Sequence, residues 1–259
     1  MNAKNLRVFC WMTLAAFLPV TAVFAAPAGQ ITQSSGYVTV STPQTVPQSV
    51  SKGDAVQTGQ TVTTGEGGRA VVQFQDGQII ALQSKSIFKV NSYKFDQTAP
   101  DTNESFFSLL QGGLRAITGL IGAQHKEGWK LATPTATMGI RGTDFMVVVN
   151  QGIFVKVDAG AVAATNSAGT AVFTAGETAA VASGTTLGAA VPAYSIPAGT
   201  FTELSAMNLG VVGGAASGSS VAAGSTILGV PSGVVIGVGI VGAAAAAASG
   251  GGSSTTTHH

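Results

Sequence analysis

Cysteine is almost missing from this chain, since Cys10 is the only one and it falls inside the apolar N-terminal run. Everything downstream is therefore without a thiol nucleophile, a thiolate metal site or a disulfide framework. Charge is scarce as well. Charged residues make up 9%, and 12 Lys and Arg stand against 11 Asp and Glu, so there is no basic footprint for nucleic acid. Helix-period apolar stripes are nearly absent, and glycine, at 35 residues, costs a helix interior about 1 kcal/mol per residue relative to alanine. No Gly-x-x-x-x-Gly-Lys run or dinucleotide fingerprint stands in a βαβ context, so no cofactor is expected. What is present is the material of tightly turned β structure. A stretch of about 150 residues is long enough to be held by its apolar core alone.

Composition divides the chain. Lys4 and Arg7 precede the apolar run Val8 to Val20 and the small residues Val23-Phe24-Ala25-Ala26, the three-part pattern of a secretory signal peptide with cleavage expected after Ala25. The run is short of the roughly 20 residues that cross a bilayer, which favours a cleaved signal over an anchor. Charges stop at Glu203. The expected layout is a signal (1–25), a β domain (26–190), a linker bearing Pro and Gly (191–225), and a Gly/Ala-rich apolar segment with a Ser/Thr tail (226–259). Ile227 to Ala248 is uncharged and long enough to span, and Gly229, Gly233 and Gly237 make two overlapping Gly-x-x-x-Gly steps. Pro231 and the lack of any later Lys or Arg argue against insertion. Membrane association or self-association through 226–248 is the expectation, with a flexible tail as the alternative.

Within the β domain, short β-branched and aromatic runs alternate with Gly, Asp, Asn and Ser. Val72 and Phe74 lead to Asp76-Gly77, after which Ile80 and Leu82 keep the period of two, as do Phe88 and Val90. Either a hairpin or a solenoid corner fits this pattern. Phe106 to Ile121 has partly helical spacing, but Gly112, Gly113 and Gly119 point instead to strand, bend and strand. Phe145 to Val149 is apolar on both faces and so belongs in an interior, with Ile153 to Val157 as its partner across Asn150-Gln151-Gly152.

Three pieces in order carry a family resemblance. They are Gly53-Asp54 to Thr58 with Gly68-Arg69 to Asp76-Gly77, then Gln111-Gly112-Gly113, then Ala132-Thr133-Pro134 through Gly139-Ile140-Arg141-Gly142-Thr143-Asp144-Phe145. Thr174-Ala175-Gly176-Glu177 adds a fourth, and together they make residues 36 to 185 resemble the FecR domain of Gram-negative bacteria. The resemblance implies an all-β domain, twisted and solenoid-like or sandwich-like, of the kind found in the periplasmic half of regulators that relay ferric-siderophore signals to a sigma factor. Those regulators carry a cytoplasmic anti-sigma segment and a transmembrane helix ahead of the domain. Here the preceding residues read as a signal peptide, so a stand-alone exported form is expected.

Candidate residues are few. Gly139, Arg141, Gly142, Thr143 and Asp144 read as one tight turn in which a guanidinium beside a carboxylate either binds a partner or pins neighbouring chain by bonding backbone carbonyls. The pinning role is the favoured one. Trp129 reads as core, with a sugar-stacking platform as its alternative. Asp54, Asp76 and Asp144 sit at glycine turns, where carboxylates bond local backbone more often than calcium. His125 is a lone loop histidine with no nucleophile elbow to serve. No catalytic set and no metal site are expected. The functional expectation is a non-enzymatic binding or scaffold module, periplasmic, cell-envelope or extracellular, whose partner is a protein or an envelope polysaccharide. The alternatives are a membrane-anchored signalling regulator and a cell-wall-directed enzyme that would bring Arg141, Asp144 and His125 together.

Overall fold

The computed structural model describes residues 27–207 and residue 209. The expected signal (1–25) and apolar segment (226–259), with the 226–248 membrane reading, lie outside the described residues. Among the described residues, no helix is long and apolar enough to cross a membrane.

The fold is all-β. Its strands are β1 (Gly29–Ser35), β2 (Val38–Ser41), β3 (Gln48–Ser49), β4 (Ala55–Val56), β5 (Thr61–Thr64), β6 (Arg69–Phe74), β7 (Ile79–Leu82) and β8 (Ile87–Lys94). They continue with β9 (Glu104–Ile117), β10 (Trp129–Ala132), β11 (Thr137–Val149), β12 (Ile153–Asn166), β13 (Gly169–Thr174), β14 (Thr178–Val181) and β15 (Ala189–Ala190). Two helices of five residues, α1 (Leu120–Gln124) and α2 (Thr202–Ala206), accompany them.

One mixed sheet holds all 15 strands and folds over on itself. Three long strands, β9, β11 and β12, make the fold-over, because each changes partner along its length, β11 from β10 at Thr137 and Met138 to β9 from Asp144 on. The N-terminal part of β9 pairs with β8 and, in parallel, with β10, while its C-terminal part pairs with β7 and β11. Strand β12 likewise meets β14 through Ile153 to Lys156 and β13 through Ala161 to Asn166. The change of layer in β9 falls at Gly112 (φ +77°), where a Cβ would come within 2.5 Å of Ser86 Cα. Only glycine allows strands to approach so closely in a left-handed conformation.

The hairpin reading of Asp76-Gly77 holds, with Phe74 N donating to Gln78 O and Gly77 at φ +83°. The pairing of Val149 with Ile153 across Asn150 to Gly152 is also as expected. Between the layers, alternate residues of each strand interdigitate: Val72, Leu82, Leu114, Phe145 and Val155 meet Val62, Phe88, Leu109, Leu131 and Met138. Aromatic rings run through this core from Phe74 to Phe107, Trp129 and Phe145, with successive centroids 5.0, 6.2 and 5.9 Å apart.

The segment expected as linker from residue 191 is, as far as it is described, part of the domain. Phe201, Leu204, Met207 and Leu209 cover the outer faces of β6, β7 and β11, packing on Val71, Ile79, Ala81, Met146 and Val148. This explains why Phe145 to Val149 is apolar at every position: one face meets the central core, the other meets α2. Glu203 fixes the strap by accepting from Arg69 Nε (2.6 Å), Ser84 N (3.1 Å) and Ser84 Oγ (3.2 Å). Because Arg69 is half exposed, solvent screens the ion pair. Glu203→Ala is expected to lower stability by about 1–2 kcal/mol, seen as a modest fall in thermal midpoint.

Candidate functional site

Gly139 to Asp144 is not the tight turn the sequence suggests but a bulged stretch inside β11. Arg141 pairs with Ala161 and Asp144 with Ala159, so Gly142 and Thr143 stand opposite Gly160 alone. Two residues against one bend the strand and re-aim its side chains. The bulge thereby separates Arg141 from Asp144. Asp144 turns to β9, where Arg115 donates to it through Nε (2.8 Å) and Nη2 (2.6 Å) in a bidentate pair. Those hydrogen bonds raise the Arg115 pKa. Thr143 is buried, and its N donates to Thr118 Oγ1 (2.8 Å) while its carbonyl accepts from Thr118 N (2.9 Å).

Thr143 and Asp144 are thus bonded within the fold, and the arginine that ties this stretch to its neighbour is Arg115, through a carboxylate and not backbone carbonyls. Arg141 itself is exposed and, among the described residues, makes no side-chain hydrogen bond or ion pair. It stands at a trough of about 400 Å³ on the outer face of β10 to β13. The floor is Gly139, Ala161 and Ala163, and Gly139 pairs with Ala163, which pairs with Val172 of β13. A Cβ at Gly139 would touch nothing within 4 Å, so the floor is open at that point. Lys130 and Lys126 join Arg141 around it, with Glu127 as the one acid of the lining. Neither lysine stood out in the sequence. The period-two run of small residues at Ala161 and Ala163 was the available signal, because on a strand it places both on one face.

Trp129 is only 1% exposed, with Phe107 and Phe145 packed on it edge to face, and its Nε1 donates to Gln78 Oε1. It offers no face to a sugar ring, so the stacking alternative is corrected to core packing. His125 is not simply solvated: its Nδ1 lies 2.9 Å from Asn103 O, and its N–H closes α1 on Ile121 O. The trough at Arg141 is lined by neither Asp144, which is held by Arg115, nor His125, whose Nδ1 meets Asn103 O, so the three do not share one cleft. Asp54 accepts from Ser51 N (2.7 Å), and Asp76 accepts from Gln78 N, Ile121 N and the Tyr93 hydroxyl. Among the described residues, no three His, Cys, Asp or Glu side chains gather as a metal site.

The family model described as FecR protein matches residues 60–163, from the start of β5 into β12, and so takes in Lys126, Lys130, Gly139 and Arg141. Two crystal structures of a "putative anti-sigma factor" from Parabacteroides distasonis ATCC 8503 are similar to the chain at 15% identity and a TM-score of 0.40. In each, the match covers 51% of this chain and 58% of the other. No curated protein matches the chain.

Proposed function

We propose that the chain is an exported, non-enzymatic FecR-domain module of the cell envelope that holds a protein partner in the Arg141 trough. The N-terminal pattern of Lys4, Arg7, apolar run and Ala25-Ala26 supports export, and the family match over residues 60–163 supports a regulatory or scaffold role. The observation that carries the site is Arg141: a guanidinium left exposed and unpaired beside two lysines, on a floor of glycine and alanine. A planar five-donor fork with no intramolecular acceptor is suited to another molecule's carboxylates or carbonyls.

In-cell crosslinking followed by purification of the full chain is the test. Partners recovered with wild type should be lost with Arg141→Glu. Arg141→Ala should leave the melting temperature nearly unchanged, because exposed substitutions stay within about 0.5 kcal/mol. A large fall in the melting temperature with Arg141→Ala, or an unchanged partner set with Arg141→Glu, would defeat this assignment. Export is checked separately, by sequencing the N-terminus of the protein recovered from cells, which should begin at Ala26.

A further inference from the structure

Building on the reading of the trough as a protein contact, we propose that its occupant is an extended acidic segment of a partner protein, laid across β10 to β13 with carboxylates on Arg141, Lys130 and Lys126. Leaving aside Lys4 and Arg7, ten of the 12 Lys and Arg lie in the described residues. Arg69, Lys85, Arg115 and Lys156 are ion-paired. Three of the other six line this one trough, against Glu127 alone. Like charges gathered without partners repel one another, so the fold gains nothing from collecting them here. A ligand that brings negative charge gains from all three.

The floor defines the shape of that ligand. Gly139, Ala161 and Ala163 project at most a methyl group, so a main chain can lie close to the sheet. Four neighbouring strands at about 4.8 Å spacing give a width near 14 Å, which about four extended residues span. Alternate side chains of such a segment point to the same side and reach the cations together. A polysaccharide fits less well. Sugar rings are held by exposed aromatic faces, and the one aromatic residue in the lining, Trp129, is buried in the core. The chain's own remaining segments do not suit either, since all 11 Asp and Glu lie within the described residues and none in 1–26 or 210–259.

The probe is a fluorescein-labelled Glu-Thr repeat peptide of about eight residues, titrated against the purified full chain by anisotropy at low salt. The expected result is saturable binding that weakens as salt rises. A Gln-Thr repeat of equal length should bind about tenfold more weakly or worse, the loss of several exposed charge contacts. Arg141→Glu should abolish binding, whereas Lys52→Glu, with the same change in net charge, should retain it; Lys130→Glu serves as a second trough variant. Equal binding of the two repeats, equal losses for the Arg141 and Lys52 variants, or preference for an oligogalacturonate over the peptide would each overturn the proposal. Self-association of the chain that disappears with Arg141→Glu would replace the partner protein with a second copy. If the crosslinked partner is lost with Arg141→Glu but the Glu-Thr peptide does not bind, the acidic segment falls and the protein contact stands. If the partner is retained, the protein contact falls as well.

Discussion

Gly160→Ala should leave the chain without its native fold. Gly160 sits at φ +77° opposite the β11 bulge, and a Cβ there would lie 1.9 Å from the carbonyl oxygen of Gly142 and 2.8 Å from that of Arg141. Both obstacles are backbone atoms of β11, which is paired to β12 before the bulge at Arg141 and after it at Asp144, so neither can swing away as a side chain would. The left-handed conformation adds strain of about 1–2 kcal/mol for an L side chain. Together these should destabilise by more than about 4 kcal/mol, the range reserved for gross steric failure. Gly142→Ala separates the two causes. Gly142 also has positive φ (+58°), but a Cβ there meets nothing within 4 Å, so only the conformational strain of about 1–2 kcal/mol is expected. Circular dichroism and thermal unfolding of the two variants give the comparison, and equal effects would show that the clash at the bulge is relieved by movement.

The same bulge marks the boundary of what the residues alone could disclose. Alternation located the hairpins at Asp76-Gly77 and Asn150 to Gly152, because a period of two and a positive-φ turn residue are both local signals. The double-sided apolar run at Phe145 to Val149 correctly indicated burial on both faces. Its second cover, the strap from Phe201 to Leu209, was not legible. The four apolar residues sit in a run too short to establish a period, and the Glu203 latch joins groups 134 residues apart. The partner of Asp144 was hidden for the same reason. Arg115 lies 29 residues away and meets it only because Gly142 and Thr143 shift the register by one residue. The motif points to Arg141, but its environment depends on Lys126, Lys130 and Ala163, which the motif does not contain.

Asp76→Ala is expected to cost about 3–5 kcal/mol and to change how stability depends on pH. The carboxylate is 2% exposed and ties three elements together. Its Oδ1 accepts from Gln78 N (3.2 Å) in the β6–β7 turn and from the Tyr93 hydroxyl (3.1 Å) of β8, while Oδ2 accepts from Ile121 N (3.2 Å) at the start of α1. Alanine strands these donors in the interior, and each unsatisfied group costs about 1–3 kcal/mol. Among the described residues, no cation forms an ion pair with Asp76. Burial therefore pushes the Asp76 pKa above the ordinary carboxylate value, although the hydrogen bonds from Gln78, Ile121 and Tyr93 oppose the shift. Burial, followed by the Asp76 charge, also raises the Tyr93 pKa, so its hydroxyl stays protonated and able to donate. A carboxylate whose folded pKa is raised contributes stability that is fully present below the unfolded value near 3.8 and is lost as pH rises through the folded value. Hydrogen bonds from Thr98 and from Thr174 lower the pKa values of Asp96 and Glu177, which act in the opposite sense, weakening the fold as pH falls. The Asp76 contribution is therefore read as a difference between proteins. Denaturant unfolding of wild type and Asp76→Asn across the mildly acidic range should show wild type gaining stability relative to the variant as pH falls towards 3.8. A constant difference, or one that shrinks on acidification, would mean that the Asp76 pKa is not raised in the folded protein.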